Sequence, residues 1–367
     1  METIRSIGVL TGGGDCPGLN AVIRAVVRTA TGRGLKVWGI RNGFGGLVEN
    51  QIFVINNADV SGILPRGGTI LGTTNRDNPF HYRVIENEET VYKDVSSLAA
   101  ENLRRAEIDA LVVIGGDGSI KIGARFSEYG VRVIAVPKTI DNDISGTERT
   151  FGFDTAVGVA SEALDRLHTT AESHHRVMVL EVMGRYAGWI ALHSGLAGGA
   201  DCILLPEIPY KVAGVLAKIR RRQQEGKRFS LIVVAEGAIP QGGELTGTQV
   251  AAGSTEKIRL GGVGEKLARE IEEKIGVESR CTVLGHLQRG GSPTAFDRLL
   301  ATRYGVAAVE ALLAGKADCM VALQNNHIVT LPIADVVGKP NHVEEDGELV
   351  AAARAIGIVF GNEAESC

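Results

Sequence analysis

The sequence predicts an α/β protein whose mostly parallel, doubly wound sheets are divided between two lobes. Short apolar runs alternate with segments of helical periodicity along most of the chain, the pattern of repeated strand–helix–strand units. The length, 367 residues, is more than one hydrophobic core usually serves. Glycine, at 48 residues about twice its ordinary share, clusters at the ends of apolar runs. There it lets backbone N–H groups come close to a bound anion.

Residues 4–10 read as the first buried strand, 11–18 as a glycine-rich turn, and 19–30 as a helix with Val22, Ala25, Val26 and Ala30 on one face. A strand follows at 36–40, and residues 41–95 are rich in turn signals with no clear period. The runs at 108–114 and 131–136 are strands flanking a helix at 119–129. A second series starts near Gly152. Helices are predicted at 154–173, 186–194, 212–224, 263–275 and 294–313, and strands at 177–182, 202–205, 230–235 and 281–284. The segment 242–255 reads as a loop and the tail after Gly361 as poorly ordered.

The net charge of −4 excludes a broad nucleic-acid footprint, so any anion site is a local cluster of Arg and Lys. Five cysteines without CxxC spacing and a start lacking an apolar leader point to reduced thiols in a cytosolic protein. No apolar run approaches the roughly 20 residues needed to span a membrane.

Three segments carry chemistry. The turn 11–18 sits between strand and helix, where backbone N–H groups and a helix N-terminus face an anion. It lacks the Gly-Lys-Ser/Thr ending of a Walker loop, and a structural turn remains the alternative. In Gly115-Gly-Asp-Gly-Ser119 the glycines admit a phosphate chain and Asp117 suits Mg²⁺, which takes one or two carboxylates plus phosphate oxygens. Ser119 is a candidate cap for the next helix; the alternative is a tight turn closed by Asp117. In Lys138-Thr-Ile-Asp-Asn-Asp143 the two aspartates share a face if the segment is extended. One would accept a proton while the other serves the metal, with Lys138 and Thr139 facing a transferring phosphoryl group. The alternative is a surface turn rich in Asp and Asn.

Together these segments resemble the ATP/pyrophosphate-dependent 6-phosphofructokinase family. Five blocks carry the resemblance: Gly12-Gly-Gly-Asp-Cys-Pro-Gly-Leu-Asn20, Gly115-Gly-Asp-Gly-Ser119, Pro137-Lys-Thr-Ile-Asp-Asn-Asp143, Glu181-Val-Met-Gly-Arg-Tyr186 and Leu284-Gly-His-Leu-Gln-Arg-Gly-Gly-Ser-Pro293. The resemblance implies two Rossmann-like three-layer lobes with an interlobe active-site cleft. Residues 1–152 plus about 288–338 would bind nucleotide, and 153–287 plus about 339–361 sugar phosphate. It implies transfer from MgATP to the 1-hydroxyl of fructose 6-phosphate. Asp141 would be the base, Thr139 would bond the transferring group, and Arg185 would stabilise its charge. Gly13, Gly116, Asp117, Gly118 and Ser119 would hold the nucleotide, with Arg76 of Thr73-Thr-Asn-Arg-Asp77. Asp117 and Asp143 would serve Mg²⁺. Ile140, Met183, Gly184 and Glu236 would line the sugar site. His286, Leu287, Gln288 and Arg289 would reach the 6-phosphate, joined by Arg176 and Arg280 from a neighbouring subunit of a homotetramer.

Two positions bear on the phosphoryl donor. An Asp at position 118 would crowd and repel the α-phosphate of ATP, so Gly118 favours ATP. Lys138 is common in pyrophosphate-dependent members and compatible with either donor. A catalytically silent regulatory subunit is a third reading, opposed by the presence of Asp117, Asp141 and Asp143. Arg24 and Arg28 share a helix face that is either solvated or part of an effector site; the run Arg220–Arg222 reads as exposed.

Overall fold

The computed structural model describes residues 4–249 and 258–363. Its contacts divide it into two compact units. The first comprises Met1–Ile140, Ile144–Thr155 and Arg289–Pro340, the second Asp141–Asp143, Ala156–Gln288 and Asn341–Cys367.

The first unit is built on a seven-stranded sheet in the order His327–Pro332, Cys319–Gln324, Arg132–Pro137, Ala110–Gly115, Ser6–Thr11, Lys36–Ile40, Ile52–Val54. The five inner strands run parallel, and the two edge strands are antiparallel to their neighbours. Every residue of Ser6–Thr11 and Ala110–Gly115 is buried, as strands covered on both faces require. The chain builds outward from Ser6–Thr11 in one direction to Lys36–Ile40 and then reverses to Ala110–Gly115. The switch point, where ligands bind in open α/β sheets, therefore lies between the two strands that carry the glycine-rich turns. Helix Leu19–Gly32 packs against helix Ala295–Leu313 at Gly305, whose added Cβ would lie 2.7 Å from Ala25 Cβ and 2.8 Å from Val22 O. Only glycine permits that approach.

The second unit holds a four-stranded, wholly parallel sheet in the order Ser279–Val283, Val177–Val182, Ser230–Ala235, Cys202–Leu204. Its core joins Val179, Ile232 and Val234 from the sheet to Leu216, Ile219, Leu267 and Ile271 from the helices. Burying each such side chain contributes roughly 1.5–3 kcal/mol. The predicted α/β class with parallel sheets is thus borne out.

Several expectations are corrected locally. The helix expected at 119–129 begins at Asp117 and ends at Ala124, followed by a 3-10 turn Arg125–Tyr129. The helix expected at 186–194 is Trp189–Ala197, because Gly184 takes φ +144° and the chain turns before the helix starts. Within the expected loop 242–255, Gly247–Gln249 pairs antiparallel with Ile258–Leu260, while residues 250–255 lie outside the described residues. Of the tail after Gly361, residues 364–367 also lie outside them.

Candidate functional site

In the first unit the two glycine-rich turns are stitched together at the switch point. Gly12 N–H donates to Ile114 O at 2.9 Å. Ser119 is buried between the turns, where an added Cβ on Gly12 would come within 2.6 Å of its Oγ and one on Gly115 within 2.3 Å of its Cβ. Ser119 is therefore not the helix cap that the sequence suggested. Helix Asp117–Ala124 starts two residues earlier, from Gly116, and no side chain caps it. Its first-turn N–H groups and dipole form an anion-attracting end at the switch point.

Polar groups hold the first turn from several directions. Gly13 N–H donates to Thr74 O at 2.9 Å, and Thr73 Oγ1 donates to Gly13 O at 2.6 Å. Lys138, buried, donates from Nζ to Gly14 O, and Arg289 Nη1 donates to Asp15 O at 3.2 Å. Lys138 thus braces the loop. Arg289, expected at the sugar phosphate, belongs to the first unit and lies on the same loop. Arg76 is exposed, its N–H bonded to Thr74 Oγ1 at 3.2 Å. Cys16 sits beneath the loop, where burial pushes its thiol up to about 12. A thiol so firmly protonated is no nucleophile.

Asp117 and Gly118 are exposed. Asp117 Oδ1 accepts from Gly338 N–H at 2.7 Å, which fixes the carboxylate. A Cβ on Gly118 would meet nothing within 4 Å, so neither packing nor conformation calls for glycine there. Thr139 is buried, and its carbonyl accepts from Thr150 Oγ1 at 2.8 Å.

In the second unit, parallel strands deliver functional groups to one sheet edge. Val177–Val182 leads into Met183, Gly184 and Arg185, Ser230–Ala235 into Glu236, and Ser279–Val283 toward the 3-10 turn Gly285–Arg289. Glu236 N–H donates to Val182 O at 2.9 Å and Gly237 N–H to Gly184 O at 3.1 Å, which seats Glu236 beside the Met183–Arg185 bend. Gln288 is fully buried and accepts from Met183 N–H at 2.8 Å, so it orders the bend from below. His286 and Leu287 are exposed at the same edge. The structure therefore gathers Met183, Gly184, Arg185, Glu236, His286, Leu287 and Gln288.

Asp141 and Asp143 do not share the face of an extended strand. Asn142 between them takes φ +52° and breaks the alternation. Ile140, buried, closes the preceding segment in the first unit. Asn341 holds the bend through Nδ2 to Asn142 O and through N–H to Asp143 O, both at 2.9 Å. The sequence reading missed Asn341, because its partners lie almost two hundred residues away along the chain. It also missed Glu207, whose Oε1 accepts from Gly188 N–H at 3.0 Å and Val343 N–H at 2.8 Å, tying the Tyr186 segment to the C-terminal stretch.

Arg176 and Arg280 lie away from this edge. Arg176 precedes strand Val177–Val182, and Arg280 is the second residue of Ser279–Val283. Neither lacks an in-chain role: Arg176 pairs with Glu278 at 2.8 Å, and Arg280 with Glu278 at 2.7 Å and Glu272 at 3.3 Å. The Arg176 hydrogen bond is the main reason the Glu278 carboxyl sits below its ordinary range. Arg222 is not exposed as expected. It is mostly buried and pairs with Asp201 at 2.6 Å, while Arg220 and Arg221 are exposed.

One unit has a switch point bearing two glycine-rich turns and a carboxylate at a helix start, and the other has a parallel sheet edge rich in polar side chains, features that suit an α/β phosphotransferase. The phosphofructokinase family model matches residues 6–312, and the chain belongs to that family. A Clostridium perfringens protein named ATP-dependent 6-phosphofructokinase 2 is 53% identical over 365 residues, 99% of this chain and 100% of that protein. A Streptomyces coelicolor protein named pyrophosphate–fructose 6-phosphate 1-phosphotransferase is 49% identical over 357 residues, 97% of this chain and 99% of that one. The crystal structure of Pichia pastoris phosphofructokinase in the T-state matches with a TM-score of 0.78 at 33% identity, covering 98% of this chain. This chain spans only 37% of the yeast chain's length.

Proposed function

We propose that this chain is an ATP-dependent 6-phosphofructokinase, converting fructose 6-phosphate and ATP to fructose 1,6-bisphosphate and ADP. The observation that carries the choice of donor is Gly118. It lies at the anion-attracting end of helix Asp117–Ala124, and a Cβ there would meet only open space. The protein itself makes no demand for glycine at that place, whereas an α-phosphate passing close to the backbone does. The name borne by the Clostridium relative supports the same donor.

In the proposed reaction Asp141 takes the proton of the sugar 1-hydroxyl as that oxygen bonds to the γ-phosphorus and the bond to ADP breaks. Thr139 and Arg185 bear on the charge of the phosphoryl group. Little covalent work falls to the protein in such a transfer; positioning and charge neutralisation dominate. His286 and Glu236 orient the sugar phosphate, and Gln288 keeps the Met183 bend in register. Mg²⁺ supplies charge neutralisation on the phosphates when bound, with Asp117 and Asp143 as its carboxylates. Asp117, exposed and fixed by Gly338, fits an ion that takes few protein ligands and fills its shell with phosphate and water. Among the described residues no group of three or more His, Cys, Asp or Glu could hold a metal without the substrate.

A homotetramer in the cytoplasm, with Arg176 and Arg280 turned to a neighbouring subunit's sugar phosphate and an effector site that includes Arg24 and Arg28, completes the proposal. Among the described residues no helix is long and apolar enough to cross a membrane. The pyrophosphate-dependent reaction is the second reading, favoured by Lys138 lying against the first glycine turn. Phosphorus NMR of the product formed from fructose 6-phosphate and ATP tests the reaction. A new phosphomonoester on C1 with stoichiometric ADP supports it, and intact substrates with active-site occupancy demonstrated by binding contradict it.

A further inference from the structure

Asn142 lies buried at the centre of the Asp141–Asp143 bend with a left-handed backbone, φ +52°. A residue other than glycine keeps that conformation where its surroundings over-determine it. Asn341 contributes to that from the C-terminal stretch. Its Nδ2 donates to Asn142 O and its N–H to Asp143 O, both at 2.9 Å. Its own carbonyl accepts from Trp189 Nε1 at 2.8 Å. Trp189 is the first residue of helix Trp189–Ala197, four residues after Arg185. Glu207 clamps the two segments together, because its Oε1 accepts from Gly188 N–H at 3.0 Å and from Val343 N–H at 2.8 Å. All of these residues belong to the second unit. A cavity of about 260 Å³ lies against them, its walls including Trp189, Leu192, Asn341, Val343 and Val350. Empty space offers no partner atoms, so on that side the hydrogen bonds rather than packing place the indole and the amide.

We propose that Asn341 and Trp189 are positioning residues for the phosphoryl transfer: Trp189 seats Asn341, and Asn341 sets the bend that presents Asp141 and Asp143. The inference rests on the proposed reaction, in which Asp141 takes the sugar proton and Arg185 bears on the charge of the phosphoryl group. The bonds run from the helix that follows Arg185, through the indole and Asn341, to the bend that carries the base. They therefore set the spacing of groups that act on one phosphoryl group. A misplacement of about 1 Å in such an arrangement costs roughly 100-fold in rate. Sugar-phosphate binding draws on Glu236 and His286, at the ends of other strands, so the loss falls on kcat and spares KM. The two residues act in series. Trp189 reaches the bend through Asn341, so once Asn341 has lost its hold, removing the indole N–H adds little.

The test is steady-state kinetics of the full-length protein and its variants, with fructose 6-phosphate binding by calorimetry and folding by circular dichroism. Asn341→Asp keeps the shape of the side chain but sets an oxygen in place of Nδ2 against Asn142 O. It is expected to lower kcat by about 10–100-fold, with KM and calorimetric affinity for fructose 6-phosphate within about twofold of wild type. Trp189→Phe keeps an aromatic ring and loses the donor; a loss of about 2–10-fold in kcat is expected, the worth of one hydrogen bond. The double variant Trp189→Phe/Asn341→Asp is expected to match Asn341→Asp alone, whereas two separate structural lesions would multiply. Asn341→Ala removes the donor without adding a charge and gives the same readout if Asn341→Asp fails to fold. An unchanged kcat in the Asn341 variants, a loss that falls on sugar-phosphate affinity, or losses that multiply in the double variant overturn the inference while leaving the reaction itself intact. A wild-type protein that transfers phosphate to fructose 6-phosphate from neither ATP nor pyrophosphate overturns the reaction and this inference with it.

Discussion

The two sheet edges that carry the candidate site are built in different ways. In the first unit the site is made by topology and backbone. Gly12 and Gly115 close around Ser119, and Lys138, Arg289, Thr73 and Thr74 brace the loop through main-chain groups. In the second unit it is made by side chains placed on strand ends. Two of the cations assigned to sugar phosphate are held by glutamates of the same chain. A site made of backbone is preorganised whether or not a ligand is present, and its failures come from steric intrusion. A site made of side chains tolerates neighbours but loses specific charges when residues are replaced.

The largest break expected lies where the chain passes between the units. Asp141→Ser removes the proposed base and should lower turnover by roughly 10²–10⁴-fold while leaving sugar-phosphate binding near normal. Steady-state kcat together with calorimetric binding checks this, and near-normal turnover would remove Asp141 from the role. Next is an intrusion into the backbone-made edge. Gly118→Asp should lower kcat/KM for ATP by about 100-fold or more, since juxtaposed like charges cost several kcal/mol. The melting temperature should hardly change, because the new side chain has open space. A variant that still uses ATP well would show that position 118 does not face the nucleotide.

A smaller effect is expected in the second unit, at one of the two arginines that lie away from its side-chain edge. Arg280→Ala should raise KM for fructose 6-phosphate by about 10–100-fold, the worth of one or two hydrogen bonds to a charged group, with kcat less affected. An unchanged KM would leave Arg280 with only its pairing to Glu278 and Glu272. The last effect is on stability with no expected change in turnover, and concerns a support of the first unit. Asp297 is buried in the first turn of helix Ala295–Leu313, and its Oδ2 accepts from Thr155 N–H at 2.8 Å and Thr155 Oγ1 at 2.5 Å. Burial raises its carboxyl to about 6, partly offset by the Thr155 bonds. A carboxyl raised on folding stabilises fully below its unfolded value, and that contribution is lost as pH rises through about 6; here it amounts to at most about 3 kcal/mol. Asp297→Asn does not titrate. Its melting temperature relative to wild type should therefore rise between about pH 4 and pH 8. A difference that stays constant with pH would show that Asp297 does not titrate in this range.

Much of the fold was legible because strand and helix runs were long and uniform. Lys36–Ile40, Val177–Val182, Ser230–Ala235, Val212–Gln224 and Val263–Ile275 occur with the bounds expected from periodicity. The segment 41–95 resisted for physical reasons. Its helix Gly43–Val48 contains three glycines, and its hairpin Tyr82–Glu86/Glu89–Lys93 turns on Asn87 and Glu88, at φ +50° and +67°, without the glycine that usually marks such a turn. The site was legible where a motif supplies its own geometry, as in the two glycine turns. It was not legible where distant segments supply it. Asn341, Glu207 and Asp297 each act on groups more than a hundred residues away or in another element, and no local pattern announces them.

The central claim, an ATP site whose specificity rests on the empty space at Gly118, is met most directly by one measurement on the wild-type enzyme. Initial rates are taken with ATP and with pyrophosphate at the same saturating fructose 6-phosphate and Mg²⁺. The account predicts robust turnover with ATP and none above background with pyrophosphate. Turnover with pyrophosphate and none with ATP would contradict it.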